Sequence, residues 1–271
     1  MEPALGYRKS EENHAALEAT AKPMAMMSFE APEQVDHSGW LKVEMQSILG
    51  SCVGHADSSV MEVCNYIKTG GGIVQLSRMF AYLQAQKASG YFGADQGASV
   101  DGARIAMEKV GICLESTFPY PNPVRYVTTI PAAAVAEAST HRLLSHTVMR
   151  SYADDFTFLA SGLGGIIIGV DWTTGMRACT GVMELSTLKG GMLGGHSMAI
   201  VGYTKRKAAD GRNYLHLVNS HSTSWGNKGW AEVAPTVIDK WHAQRETMIG
   251  FSDLETYGGP RTIPTFVGMT G

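Results

Sequence analysis

The chain has 271 residues, 44% of them apolar and 17% charged, with 31 glycines. That is enough to bury a substantial core as one large domain or two lobes, and too apolar for a disordered chain. The formal net charge is −3 and the lysines and arginines are scattered, so nucleic acid and anionic membrane surfaces are not expected as partners.

Residues 1–36 are polar and Ala/Met-rich without sustained periodicity, and read as a loosely docked N-terminal extension. They mix acids and bases and lack the apolar core of a secretion signal, while the longest apolar run, around GGIIIGVDW, is too short to span a bilayer. The expected location is therefore the cytoplasm or an assembled particle.

Ordered structure is expected from HSGWLKVEM onward. After Cys52, apolar residues at Val53, Ala56, Val60, Val63 and Ile67 keep one helical face apolar until Gly70 to Gly72 stop it. Further helices are expected at QLSRMFAYLQAQKA and SVDGARIAMEKVG, the latter ending at Gly111, before FPYPNP breaks the pattern. From about residue 142 the pattern turns to strands: RLLSHTVMR, GGIIIGVDW, HSMAIVGYT, NYLHLVNS and GWAEVA. A helix at ADDFTFLAS separates the first two, and another is expected at APTVIDKWHAQ. A helical half thus precedes a mainly β half, with a site expected in the cleft between them.

Two patterns carry no function. SGLGGIIIG has glycines that follow a helix and precede a strand, the reverse of a dinucleotide loop, and no GK[ST] of a phosphate loop is present. The nine histidines include no HExxH pair, and His141 and His146 do not share a helical face well. Cys52, Cys64, Cys113 and Cys179 have no CxxC spacing, so reduced thiols are expected, with no metal site and no cofactor.

Cys52 is the position that raises a chemical question, because a lone cysteine is most often a packing residue. At a helix N-terminus, with an imidazolium across a cleft, its pKa would fall below the ordinary value of about 8.5 and the pair would exist as thiolate and imidazolium. A candidate partner is His196, which follows two glycines and leads into the alternating strand of GGHSMAIVGYTK. Asn219 then ends a strand in VNSHSTSWGNKGW.

Gln46 six residues before Cys52, GGHSMAIVGY around His196, and VNS through SWGNKGW from Asn219 to Trp230 together resemble the papain-like cysteine peptidases, in the manner of microbial or phage members. LSRMF, DQGAS and GICLESTFPYP resemble stretches of that family's helical lobe, and the resemblance covers about residues 36 to 250. His196 lies 144 residues after Cys52, within the spacing of about 130–150 usual for the family, and Asn219 lies 167 after it.

The resemblance implies an α+β, papain-like two-lobed fold. Residues 37–125 would form the helical lobe carrying the nucleophile, 126–254 the β-rich lobe carrying His and Asn, and 255–271 a tail. It implies hydrolysis of peptide bonds in a peptide or protein substrate through an acyl-enzyme. Cys52 would attack the carbonyl, His196 would pair with it and protonate the leaving amine, and Asn219 would hold the imidazole. Gln46 and the Cys52 N–H would bind the oxyanion, and the backbone of Gly97 and Ala98 would pair with the extended substrate. Three departures stand out: His221 where the family usually has a tryptophan, Val53 after the nucleophile, and Leu49 in place of a cysteine. His221 and the short N-terminal extension motivate a second reading, a scaffold serving as a structural or binding component with protein assembly partners, for example in a phage particle; a third reading keeps the chemistry and changes the substrate to the peptide cross-links of bacterial cell wall.

Overall fold

The computed structural model of the chain describes residues 3–9, 17, 20, 21 and 30–252. The tail expected at 255–271 and most of residues 10–29 lie outside the described residues.

The first long element is helix α1 (Cys52–Thr69), which ends where Gly70 takes a left-handed conformation at φ 72°. Sequence periodicity suggests one apolar face, but the helix is buried on all sides from Cys52 to Tyr66, with Asp57, Ser58, Ser59, Glu62 and Asn65 inside as well. A helix surrounded in this way is the central post of a fold rather than a surface helix. Helices α2 (Arg78–Ser89) and α3 (Val100–Lys109) pack beside it, each started by a serine, Ser77 or Ser99, whose hydroxyl accepts a backbone N–H of the first turn. Between α1 and α2 lies a buried ion cluster: Arg78 Nη2 sits 3.0 Å from Glu62 Oε1 and 3.1 Å from Glu44 Oε1. The short helix α4 (Ala132–Ala138) closes this half.

The rest is a seven-stranded sheet in the order β1-β7-β2-β4-β5-β6-β3. Its strands are β1 (Ser145–Val148), β2 (Gly165–Thr173), β3 (Val182–Met183), β4 (Met192–Lys207), β5 (Asn213–Val218), β6 (Trp230–Val233) and β7 (Thr247–Ser252). All pairs are antiparallel except β3 with β6. Helices α5 (Tyr152–Ala160), α6 (Thr174–Arg177) and α7 (Pro235–Ala243) complete this half.

Alternation along the strands divides the core in two. Ile167, Ala199, Val201, Ile249 and Phe251 pack with the residues of α1 to α4, whereas Ile166, Ile168, Ile200, Met248 and Leu217 pack with α5 and α7 on the opposite face. Helix α1 therefore lies on the sheet, and Cys52 at its start faces β4.

The N-terminal extension differs from the expected loose arm. Residues 3–9 lie against both halves, with Tyr7 buried, and Val35 pairs with Tyr203 in an isolated bridge. The segment 3–9 is called the strap below.

Candidate active site

Cys52 is the first residue of α1 and is fully buried. The backbone N–H groups of Ser197, Gly6, Val53 and Cys52 itself act on its sulfur and lower its pKa, but burial outweighs them and pushes the thiol up to about 11. The sulfur is therefore protonated at neutrality in this conformation, and the ion pair expected from the sequence is not present. The physical reason is desolvation: without water, a thiolate lacks the dielectric that would let a helix end hold its charge.

His196, on β4 directly before Ser197, is also fully buried, which holds its pKa well below the usual histidine value. Its Nε2 lies 2.8 Å from Asn219 Oδ1. That oxygen also accepts the Ser220 N–H at 2.8 Å, which fixes the amide orientation and makes it an acceptor towards the ring. Nε2 therefore carries the hydrogen and Nδ1 is bare, with no hydrogen-bond partner. A neutral imidazole with an unprotonated, unengaged nitrogen is the form a general base requires.

Gln46 is fully buried rather than facing solvent. Its Oε1 accepts the Ser220 hydroxyl at 2.7 Å, and its backbone N–H donates to Ser220 O at 3.0 Å. Ser220 therefore ties the Gln46 loop to the Asn219 loop, a link the sequence reading missed although the serine directly follows the asparagine. The Gln46 side-chain N–H donates to Leu49 O at 2.9 Å and to Ala4 O at 2.7 Å.

Ala4 belongs to the strap, which runs through the cleft. Ala98 N–H donates to Gly6 O at 2.8 Å, Arg8 N–H donates to Ala98 O at 2.9 Å, and Tyr7 N–H donates to Gly195 O at 3.1 Å. The bridge between Tyr7 and Ala98 is parallel. The approach is close: a Cβ built on Gly6 would lie 1.7 Å from Gly50 O, and one on Gly97 would lie 1.9 Å from Gly6 O. The backbone of Ala98 pairs with an extended segment of the chain's own N-terminal region. At the sulfur the strap presents the Gly6 N–H.

His221 is buried with its ring centroid 4.5 Å from that of His196, and Trp172 from β2 stands 4.6 Å from His196 and 5.5 Å from His221. Sequence spacing singles out His221 as a departure and overlooks Trp172, which supplies an indole beside the catalytic-type histidine from another strand. Burial lowers the His221 pKa to about 4. Cys64, Cys113 and Cys179 are buried, and none of them forms a disulfide among the described residues. Among the described residues no group of three His, Cys, Asp or Glu side chains is placed to hold a metal ion, and no helix is long and apolar enough to cross a membrane.

A thiol at the start of the central helix, an imidazole held by an asparagine on the facing sheet, and a cleft that accepts an extended peptide define a thiol hydrolase of the two-lobed kind. The model of the papain family cysteine proteases matches residues 31–250, and the chain belongs to that family. Among solved structures it is similar to xylellain, a cysteine protease from Xylella fastidiosa, at a TM-score of 0.74 and 18% identity, covering 94% of this chain and 98% of that one. It is also similar to procathepsin B S9 from Trypanosoma congolense, at a TM-score of 0.69 and 17% identity, covering 92% and 87%. A third is the bromelain protease from Ananas comosus in complex with the E64 inhibitor, at 0.61 and 16%, covering 82% and 99%. No curated protein matches the chain. The papain-like α+β fold expected from the sequence is the fold observed.

Proposed function

We propose that the protein is a cysteine peptidase held in a closed form by its own strap, with residues 37–125 as the lobe of the nucleophile and 126–254 as the lobe of the base. Cys52 is the nucleophile, His196 takes its proton through Nδ1 and returns it to the leaving amine, and Asn219 keeps Nε2 protonated. The Gln46 amide and the Cys52 N–H bind the oxyanion, and Gly97 and Ala98 present backbone to the substrate.

One observation carries this reading. A peptide carbonyl oxygen, that of Ala4, already rests on the Gln46 side-chain N–H in the cleft that holds Cys52. The same donor is then available to a scissile carbonyl once the strap leaves. When it leaves, water returns to the sulfur, the desolvation that raises its pKa is relieved, and the bare Nδ1 of His196 can accept the proton.

The test is turnover of a fluorogenic peptide by chain in which the strap has been loosened. Cys52→Ala in that background is expected to abolish turnover, and Gln46→Ala to lower kcat by about 10²–10³-fold, as for loss of one oxyanion donor. Turnover that persists undiminished in the Cys52→Ala chain would refute the assignment.

A further inference from the structure

The loop that leads into Cys52 and the loop of Gly97 and Ala98 are tied together by side chains, with no disulfide among the described residues. The Gly50 N–H, two residues ahead of Cys52, donates to both Oδ1 and Oδ2 of Asp95 at 3.1 Å each. Asp95 Oδ1 also accepts the Tyr82 hydroxyl of α2 at 2.5 Å. That hydroxyl in turn accepts the Gly97 N–H at 3.1 Å and the Gln86 side-chain N–H at 3.0 Å. One hydroxyl thus donates towards the nucleophile's loop and accepts from the loop opposite.

Tyr82 and Gln86 are fully buried, whereas Asp95 sits on the rim and is exposed. Gln86, one turn after Tyr82, braces the same loop: its side-chain N–H reaches Ala94 O at 2.9 Å, and its Oε1 accepts the Tyr126 hydroxyl at 2.7 Å. Polar groups linked in this way hold one another in place and act as a unit. The unit spans the part of the cleft where the strap is narrowest. Gly6 is pressed between Gly50 O and Gly97, and its N–H acts on the Cys52 sulfur. The segment in the cleft is therefore gripped, beside the sulfur, by the two loops that Asp95 and Tyr82 connect.

We propose that Asp95 and Tyr82 are positioning residues of the peptidase, forming a latch that holds the nucleophile's loop at a fixed distance from the substrate-binding backbone of Gly97 and Ala98. The inference rests on the peptidase reading of the site. The two members bear on different steps. Asp95 holds Gly50, and with it the turn between Gln46 and Cys52 that carries both oxyanion donors, so its loss displaces groups needed in the chemical step. The Tyr82 hydroxyl holds Gly97, and with it the backbone that receives an extended substrate before chemistry, so its loss falls on binding.

The experiment uses the full-length chain with the strap loosened by Gly6→Val, a fluorogenic peptide, and active sites counted by stoichiometric alkylation of Cys52. Asp95→Ala, a change at an exposed position, is expected to lower kcat about tenfold per active site. Asp95→Asn keeps an oxygen that can accept both the N–H and the hydroxyl, and should retain kcat within about threefold. Tyr82→Phe keeps the buried ring and should raise KM about tenfold while kcat stays within about twofold. A merely structural role would lower the melting temperature and leave kcat and KM per active site unchanged, and that result overturns the latch while leaving the peptidase reading in place. An Asp95→Asn chain as impaired as Asp95→Ala, or a Tyr82→Phe chain that loses kcat at unchanged KM, overturns it too. If the parent turns over no peptide, the peptidase reading fails and the latch is judged by binding. The peptide concentration that protects Cys52 from iodoacetamide should then rise about tenfold in Tyr82→Phe, and an unchanged concentration would sink the latch as well.

Discussion

At the scale of single residues, His221 shows how burial converts an apparent loss into a pH dependence. The sequence places an imidazole where an indole would shield the His196–Asn219 contact, and the structure moves the indole to Trp172 while keeping the imidazole buried beside both. Its folded pKa of about 4 lies below the ordinary histidine value of about 6.5. A histidine held neutral in this way leaves stability intact above pH 6.5 and withdraws it as pH falls towards 4. The titratable neighbours, His196 and His55, are depressed by burial in the same direction. His221→Phe is therefore expected to gain about 2 kcal/mol relative to the parent on going from pH 8 to pH 5. Urea denaturation at both pH values measures this, and an equal difference at the two would refute it. Legibility follows the same division. Cys52, His196, Asn219 and Gln46 stand out as candidates in the sequence because each sits in a recognisable local stretch, whereas Ser220 and Trp172 meet them through contacts that only the folded sheet creates.

Elements show a similar split. Helix α1 and the long strand β4 were evident from periodicity, since each has an apolar run with defined stops. Strand β7 was not, because TMIGFS is short, follows directly on α7 and its tight turn, and contains Gly250 where Met149 and Phe158 crowd the backbone. Yet β7 lies between β1 and β2 and supplies Thr247. The polar residues inside α1 also escaped periodicity, and their energetics centre on Arg78, which anchors α2 to α1 through Glu62 and reaches Glu44 ahead of Gln46. Arg78 and Glu62 are almost fully buried, and burial raises the Glu62 pKa to about 7 even beside the guanidinium. Removing the cation leaves its carboxylates without compensation in a dry site. Arg78→Met is expected to cost about 3–5 kcal/mol of folding stability, and a second change, Glu62→Leu, to restore much of it. Thermal melts of the two variants decide the point, and a melting temperature unchanged by Arg78→Met would show the cluster to be solvated.

For the molecule as a whole, the strap joins what the cleft separates. It bonds to Gln46 and Ala98 from the helical half and to Gly195 and Thr247 from the sheet, and Lys9 reaches Glu246 at 3.3 Å. Nothing in ALGYRK announced this, since a strap contributes one extended segment without periodicity and its partners are scattered over the rest of the sequence. Gly6 is its narrowest point. A side chain there would meet Gly50 O, so Gly6→Val is expected to dislodge the strap, raise the alkylation rate of Cys52 at pH 7.5 at least about tenfold, and allow peptide turnover. An alkylation rate unchanged by Gly6→Val would mean that the strap does not guard the thiol.

Because the strap is covalently part of the molecule, its occupancy of the cleft does not depend on how dilute the protein is. A tethered ligand acts at an effective concentration fixed by its attachment, so a free peptide must compete against that fixed level to displace it. A single break in the chain between Lys9 and Val35 would make the same segment an ordinary ligand, able to diffuse away.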